Sequence, residues 1–210
     1  NNAGDSGLEG QVFKLTTRNN GATWYGSEVV NYDTMTGYDL WSWGYNYSGQ
    51  LGQNNNTKYS SPIQIPGDYY NANPTTGGPG GLFVEKTSAS LWGWGTADNG
   101  SLGNNAITQR SSPVQIPGTT WGIASKSERS SKAIKTDGTL WSWGINYFGG
   151  LGQNQPHNFE RSSPVQVGSD TTWSTGTKTL TGNNFSGAAI KTDGTCLLYT
   201  SPSPRDRTRS

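Results

Sequence analysis

An all-β fold built from recurring units is what this 210-residue sequence predicts, and three observations predict it. Leu-Trp-[Ser/Gly]-Trp-Gly stands at residues 40–44, 91–95 and 140–144, in steps of 51 and 49 residues. Gly-x-Leu-Gly follows each time, at 49–52, 100–103 and 149–152. Ser-Ser-Pro-[Ile/Val]-Gln-[Ile/Val] then closes each unit, with Pro62, Pro113 and Pro164 spaced by 51 residues. A fixed period of about 50 residues carrying strand-like runs and glycine turns points to a propeller or a solenoid.

The chain divides accordingly into a lead-in with a partial first repeat (1–39), repeats at 40–90 and 91–139, a repeat with the start of the next (140–195), and a tail (196–210). Residues 1–20 are polar and carry no assignable element; residues 24–30 and 38–44 read as strands joined by a turn at Thr36-Gly37. In the second unit residues 69–81, ending in Gly-Gly-Pro-Gly-Gly, read as a long flexible connection, and residues 83–87 as the next strand, with Ser88-Ala89 at the turn. The third unit is the most regular. Residues 133–136 form a strand and Asp137-Gly138 supplies the positive φ angles of a type I′ hairpin. A period of two then places Trp141 and Trp143 on one face of the following strand. The closing strand begins at its proline, where a missing N–H costs no ladder hydrogen bond. Residues 121–125 make a weaker fourth strand, so one period yields four short strands. Lys-Thr-Asp-Gly-Thr recurs at 191–195, after which a fourth Trp signature fails to follow.

At Trp43-Gly44-Tyr45-Asn46-Tyr47-Ser48-Gly49-Gln50-Leu51-Gly52 the chain closely resembles the regulator-of-chromosome-condensation repeat family, whose core reads Trp-Gly-x-Asn-x-x-Gly-Gln-Leu-Gly. The third unit departs from that core at Gly150, and the second at Ala97 and Ser101. The resemblance covers roughly residues 24–195. It implies an incomplete β-propeller of about three to four four-stranded antiparallel blades, from a ring usually of seven. Residues 196–210 do not resemble the repeat. They resemble the translation of a transposase-type sequencing adapter, so they are excluded from the expected fold, and the sequence is expected to be a fragment.

The tail carries three of the 15 Lys and Arg and one of the 14 Asp and Glu. The remainder holds 12 basic and 13 acidic residues, a net charge of −1, with no basic footprint for nucleic acid or an anionic membrane. No run approaches membrane-span length. The single cysteine, Cys196, also lies in the tail, so disulfides and cysteine zinc sites are not expected. The hydrophobic content of 30% is low, and the nine tryptophans must supply much of the core. The pairs Trp41/Trp43, Trp92/Trp94 and Trp141/Trp143 are expected to be buried between blades, as are Trp24, Trp121 and Trp173.

No phosphate-binding glycine loop, helix N-terminus or catalytic carboxylate pair can be read from the spacing. Asp137 and Asp193 have turn roles, and Asp33, Asp39, Asp68 and Asp170 read as solvated. His157 has only Glu160 near it in sequence, too few ligands for a metal. The chain is therefore expected to be non-enzymatic and without cofactor or metal. The binding candidates are Gln155, His157, Asn158 and Phe159, in the polar insertion of the third unit. The expected function is a scaffold presenting loops to a protein or surface-glycan partner, not to nucleic acid or membrane. A Ser/Thr/Asn-rich composition suits a secreted or virion-associated setting better than a nuclear one. The family's founding member implies a second activity, guanine-nucleotide exchange on a small GTPase, and a secreted relative implies a third, enzyme inhibition. None of the exchange residues can be placed on a numbered position here.

Overall fold

The computed structural model describes residues 38–69, 71–76, 82–86, 89–176 and 178–199. The lead-in, the strand expected at 24–30, Trp24, Asp33 and the turn at Thr36-Gly37 lie outside the described residues. Thirteen strands run in order: β1 (Tyr38–Gly44), β2 (Tyr59–Tyr69), β3 (Asn71–Thr76), β4 (Leu82–Lys86), β5 (Ser90–Gly95), β6 (Arg110–Gln115), β7 (Trp121–Lys126), β8 (Ser130–Lys135), β9 (Leu140–Ile145), β10 (Glu160–Gln166), β11 (Leu180–Gly182), β12 (Gly187–Ile190) and β13 (Cys196–Tyr199). They pair as four antiparallel meanders: β1-β2, β3-β4-β5-β6, β7-β8-β9-β10 and β11-β12-β13. Each complete sheet begins before a Trp signature and ends on the closing strand, so the sheets are offset from units cut at the signature.

Several details differ from the sequence reading, three of them in turns and strand assignment at 69–81, 137–138 and 196–199. The connection expected to be flexible at 69–81 contains β3, which pairs with β4 through Thr75↔Phe83. The hairpin at Asp137-Gly138 is not type I′, because only Gly138 has positive φ, at 77°. Gly138 N donates to Lys135 O at 2.9 Å and Lys135 N to Thr139 O at 3.0 Å, a type I turn followed by a left-handed glycine. Asp137 favours this form because its carboxylate accepts from both Thr139 N, at 3.0 Å, and Thr139 Oγ1, at 2.6 Å. The third difference concerns the tail. Cys196–Tyr199, set aside as foreign to the repeat, forms β13 and pairs with β12 from Gly187↔Tyr199 to Ile190↔Cys196. The preceding turn at Lys191 to Thr195 repeats the Asp137-Gly138 geometry and returns the chain alongside β12.

The closing prolines lie inside β2, β6 and β10 rather than at their starts. Each of these strands is the last of its sheet, and the register slips beside the proline, between Arg161 and Val165 in β10. An edge position and a bulge remove the need for the missing N–H.

The core lies between sheets. Leu40, Ile65 and Tyr69 from β1-β2 meet Trp94 from β5. Leu91, Leu102 and Ile116 meet Trp121, Ala133 and Trp143 of the next sheet. Ile134, Leu140 and Val167 meet Trp173, Leu180 and Ala189 of the last. Strand alternation explains the pattern: in β5 and β9 the leucine points to the following sheet and the tryptophans to the preceding one. Trp94 and Trp143 are fully buried, each with its indole N–H on a backbone carbonyl of the preceding Gly-x-Leu-Gly loop, Gln50 O and Ser101 O, both at 3.0 Å. Each such indole is worth on the order of 4 kcal/mol of burial as an upper estimate. In β1 the same alternation turns Trp41 and Trp43 to a face that no described sheet covers, and they are 50% and 62% exposed. Trp92 and Trp141 are half-buried, whereas Trp121 and Trp173 are buried. Burial therefore follows the presence of a preceding sheet, and the signature alone does not guarantee it.

Candidate interaction surface

In the first and third units the signature strand runs into a loop whose shape is set by the Trp-Gly-x-Asn motif. Asn146 is fully buried; its Nδ2 donates to Gln155 O at 2.6 Å and Pro156 O at 3.1 Å, and its Oδ1 accepts from Leu151 N at 3.1 Å. Asn46 makes the same staple in the first unit, with Asn55 O at 2.8 Å, Thr57 O at 3.0 Å and Leu51 N at 2.9 Å. These bonds fix the loop backbone and leave the residues between asparagine and glycine facing outward. In the third unit those residues are Tyr147 and Phe148.

Four rings gather there. The centroid of Phe148 lies 4.8 Å from His157, 6.0 Å from Phe185 and 6.3 Å from Tyr147. Tyr147 lies 5.4 Å from His157 and 6.2 Å from Phe185. Phe185 comes from the β11–β12 turn, so the strip spans the joint between two sheets. Phe148 and Phe185 are 55% and 54% exposed. Phe148 N donates to His157 Nδ1 at 3.2 Å, which assigns the imidazole proton to Nε2, on the opposite side of the ring. Arg129, from the β7–β8 turn, donates from Nη1 to the Tyr147 hydroxyl at 3.1 Å and lies over that ring at 5.5 Å. The turns are tied to one another, since Arg129 N donates to Asn184 Oδ1 at 3.0 Å and Ser130 Oγ to Asn183 O at 3.0 Å. Asn184, which fits a glycosylation pattern in sequence, is thus engaged in holding the turn.

Phe148 sits at φ 49°, in the left-handed region. That backbone costs an ordinary L-residue roughly 1–2 kcal/mol, and asparagine visits it more readily. The same position in the second unit is Asn99, at φ 56°, with its amide 2.6 Å from Glu160 Oε1. The first unit presents a smaller aromatic pair, Tyr45 and Tyr47, stacked at 6.2 Å with Lys58 5.1 Å from the Tyr45 ring.

Of the four residues expected from sequence, His157 belongs to the strip. Gln155 contributes its carbonyl to the asparagine staple. Asn158 serves as a left-handed turn residue at φ 64°, and its N–H donates to Asn146 O at 3.2 Å. Phe159 is half-buried under the Arg161 guanidinium at 4.2 Å, away from the strip. Sequence reasoning missed Tyr147, Phe148, Phe185 and Arg129. The available signal was two aromatics at motif positions that hold Asp98 and Asn99 in the neighbouring unit.

It also missed two buried lysines beneath this face. Lys126 is 2% exposed, with Nζ 3.3 Å from Ser101 Oγ and from Ser127 O; desolvation pushes its pKa down to about 7, partly opposed by Asp98 and Glu128. Lys132 is 5% exposed, with Nζ 3.3 Å from Ser130 Oγ and its stem packed on Gly182 and Gly187; burial lowers its pKa to about 8. By contrast Lys135 lies 4.9 Å from the Trp121 ring and 4.3 Å from that of Trp141, and Lys191 5.4 Å from that of Trp173. The lysine of the recurring Lys-Thr-Asp-Gly-Thr is thus a cation over an indole face. Asp170, read as solvated, is ion-paired with Lys191, and that contact together with Thr172 holds its carboxyl down to about 2. Among the described residues no group of three or more His, Cys, Asp and Glu side chains is arranged to hold a metal ion.

The family described as "Regulator of chromosome condensation (RCC1) repeat" matches residues 39–72. No curated protein sequence matches the chain. Among solved structures, human WBSCR16 superposes with a TM-score of 0.63 at 18% identity, covering 77% of this chain and 43% of that one. The yeast RCC1 (Prp20) of a complex with Kap60 gives 0.60 at 16% identity, over 89% and 47%. Prp20p of Saccharomyces cerevisiae, in a study of its binding to Gsp1p and histones, gives 0.61 at 17%, over 84% and 46%. The chain spans less than half the length of each. These likenesses establish the fold, an RCC1-type β-propeller architecture seen here in part.

Proposed function

We propose, taking an RCC1-type propeller carrying an RCC1 repeat as the premise, that this chain is a non-enzymatic interaction scaffold whose loop face engages a partner. The observation that carries this reading is the half-exposed aromatic strip of Tyr147, Phe148, His157 and Phe185, held across two sheets by turn-to-turn hydrogen bonds. Exposed aromatic rings on a rigid frame lose little conformational entropy on binding and fit the profile of interface hot spots. A protein partner suits it directly and a surface glycan is the alternative ligand, in a secreted or virion-associated setting. The test compares the full chain with its Phe148→Ser/Phe185→Ser variant, both immobilised and exposed to host-culture extract and to a glycan array. A ligand retained by the unmodified chain and lost by the variant supports the scaffold; identical retention on both refutes this surface.

Guanine-nucleotide exchange is the second reading, motivated by the likeness to Prp20p, whose structure was studied with its binding to Gsp1p. A small GTPase loaded with a fluorescent guanine nucleotide would release it faster in the presence of the chain. Release at the spontaneous rate removes this reading and leaves the scaffold. Inhibition of a secreted enzyme is a special case of the first reading and would appear as a tight complex with that enzyme.

A further inference from the structure

The aromatic strip carries information about what it binds. Tyr147 and Phe148 are stacked within 29°, but the other rings are inclined to them: Phe148 is tilted by 47° to His157 and by 57° to Phe185, and Tyr147 by 58° to Phe185. A sugar ring stacks on a flat platform, whereas a corrugated face of mutually inclined rings suits an apolar side chain laid against it. Arg129 stands at the edge of the strip, half-buried, and among the described residues it makes no ion pair; its guanidinium is engaged by the Tyr147 ring and hydroxyl. A guanidinium has five N–H donors in a fork that matches a carboxylate, so most of its capacity stays available for an incoming anion. The choice of residue points the same way. Phe148 adopts φ 49°, where the second unit has Asn99, so the phenylalanine is retained against both conformational preference and solvent exposure. The left-handed turn recurs in the second unit, so the residue on it, and not the backbone, sets this surface apart.

We propose that Tyr147, Phe148, His157 and Phe185, with Arg129 at their edge, form a docking site for a protein segment that presents a carboxylate beside an aromatic or aliphatic side chain. The apolar side chain packs on the exposed faces of the rings and the carboxylate takes the free donors of Arg129. This deepens the scaffold reading and rests on it.

The test pans a phage-displayed library of random dodecapeptides on the full 210-residue chain and on its Phe148→Asn and Arg129→Gln variants. Expected are enriched peptides that place Asp or Glu next to an aromatic or aliphatic residue, bound at least about tenfold more weakly by either variant, as for hot-spot residues. Phe148→Asn should also raise the melting temperature, by about 2–4 °C, so its loss of binding cannot be ascribed to unfolding. Enriched peptides without acidic residues, or with equal affinity for Phe148→Asn, overturn the docking site and leave the scaffold reading standing. Oligosaccharide binding abolished by Phe148→Asn overturns the peptide assignment in favour of a glycan. Absence of enrichment together with absence of glycan binding overturns both.

Discussion

Position in the register decides what a residue of this chain is worth. Trp43 and Trp143 are the same motif residue, yet one is 62% exposed and the other fully buried over Gly103. Trp143→Ala is expected to cost about 3–5 kcal/mol in urea unfolding, and Trp43→Ala under about 1 kcal/mol. Equal losses would contradict the described inter-sheet packing. The buried lysines give the stability a pH dependence whose sign follows from linkage. In the folded chain burial holds Lys126 at about 7 and Lys132 at about 8, below the ordinary lysine value of 10.5. Between these limits the unfolded chain binds more protons than the folded one, so stability rises with pH and is lost as pH falls back toward 7. Unfolding free energies from urea titrations at pH 7 and pH 9 should differ by on the order of 3 kcal/mol, with Lys132→Met flattening part of the slope. These lysines were illegible in the sequence. Ser-Ser-Lys-Ala-Ile-Lys reads as an ordinary alternating strand, and only the neighbouring sheet, through Gly182 and Gly187, covers the stem of Lys132 while Lys135 reaches the indoles.

At the scale of elements, the joints between sheets share one device: a left-handed glycine, Gly52 or Gly103, receives the next sheet's indole, and in the first and third units an asparagine staples the loop after the signature strand. A Cβ on Gly103 would lie 2.4 Å from Trp143 Nε1, at φ +81°, where an L-residue is itself strained. Gly103→Ala is therefore expected to destabilise by at least about 2 kcal/mol, checked by thermal unfolding. Asn146→Ala leaves Leu151 N and the carbonyls of Gln155 and Pro156 without their partner, at a cost of about 2–3 kcal/mol. The second unit shows the natural counterpart: Ala97 replaces the asparagine, and Asn104 Oδ1 is buried there without a hydrogen bond. These devices could be anticipated as motifs, because glycine and asparagine act through local backbone geometry. The turn type at Asp137-Gly138 was misjudged for the same local reason. Asp-Gly fits two hairpin forms, and the carboxylate's two bonds to Thr139 select the one with a single positive φ.

Across the whole molecule, stability is a sum over sheets and the joints between them. The β3-β4-β5-β6 and β7-β8-β9-β10 sheets each have a described apolar cluster on both faces, shared with both neighbours. Amide hydrogen exchange is expected to be slowest in β5, β8 and β9, inner strands of sheets with apolar clusters on both faces, and faster in β1. Uniform protection from β1 to β13 would refute the additive picture. The sequence by itself determined the all-β class, the four-strand unit and the alternation of indoles, because period-two strands, left-handed glycines and a fixed spacing are written in local residue choice. Only the tertiary structure decided which indoles are covered, which lysines are deprived of water, and that Phe185 meets Phe148 across a joint. Those outcomes depend on the face a neighbouring sheet presents, and that face comes from residues tens of positions away in the chain.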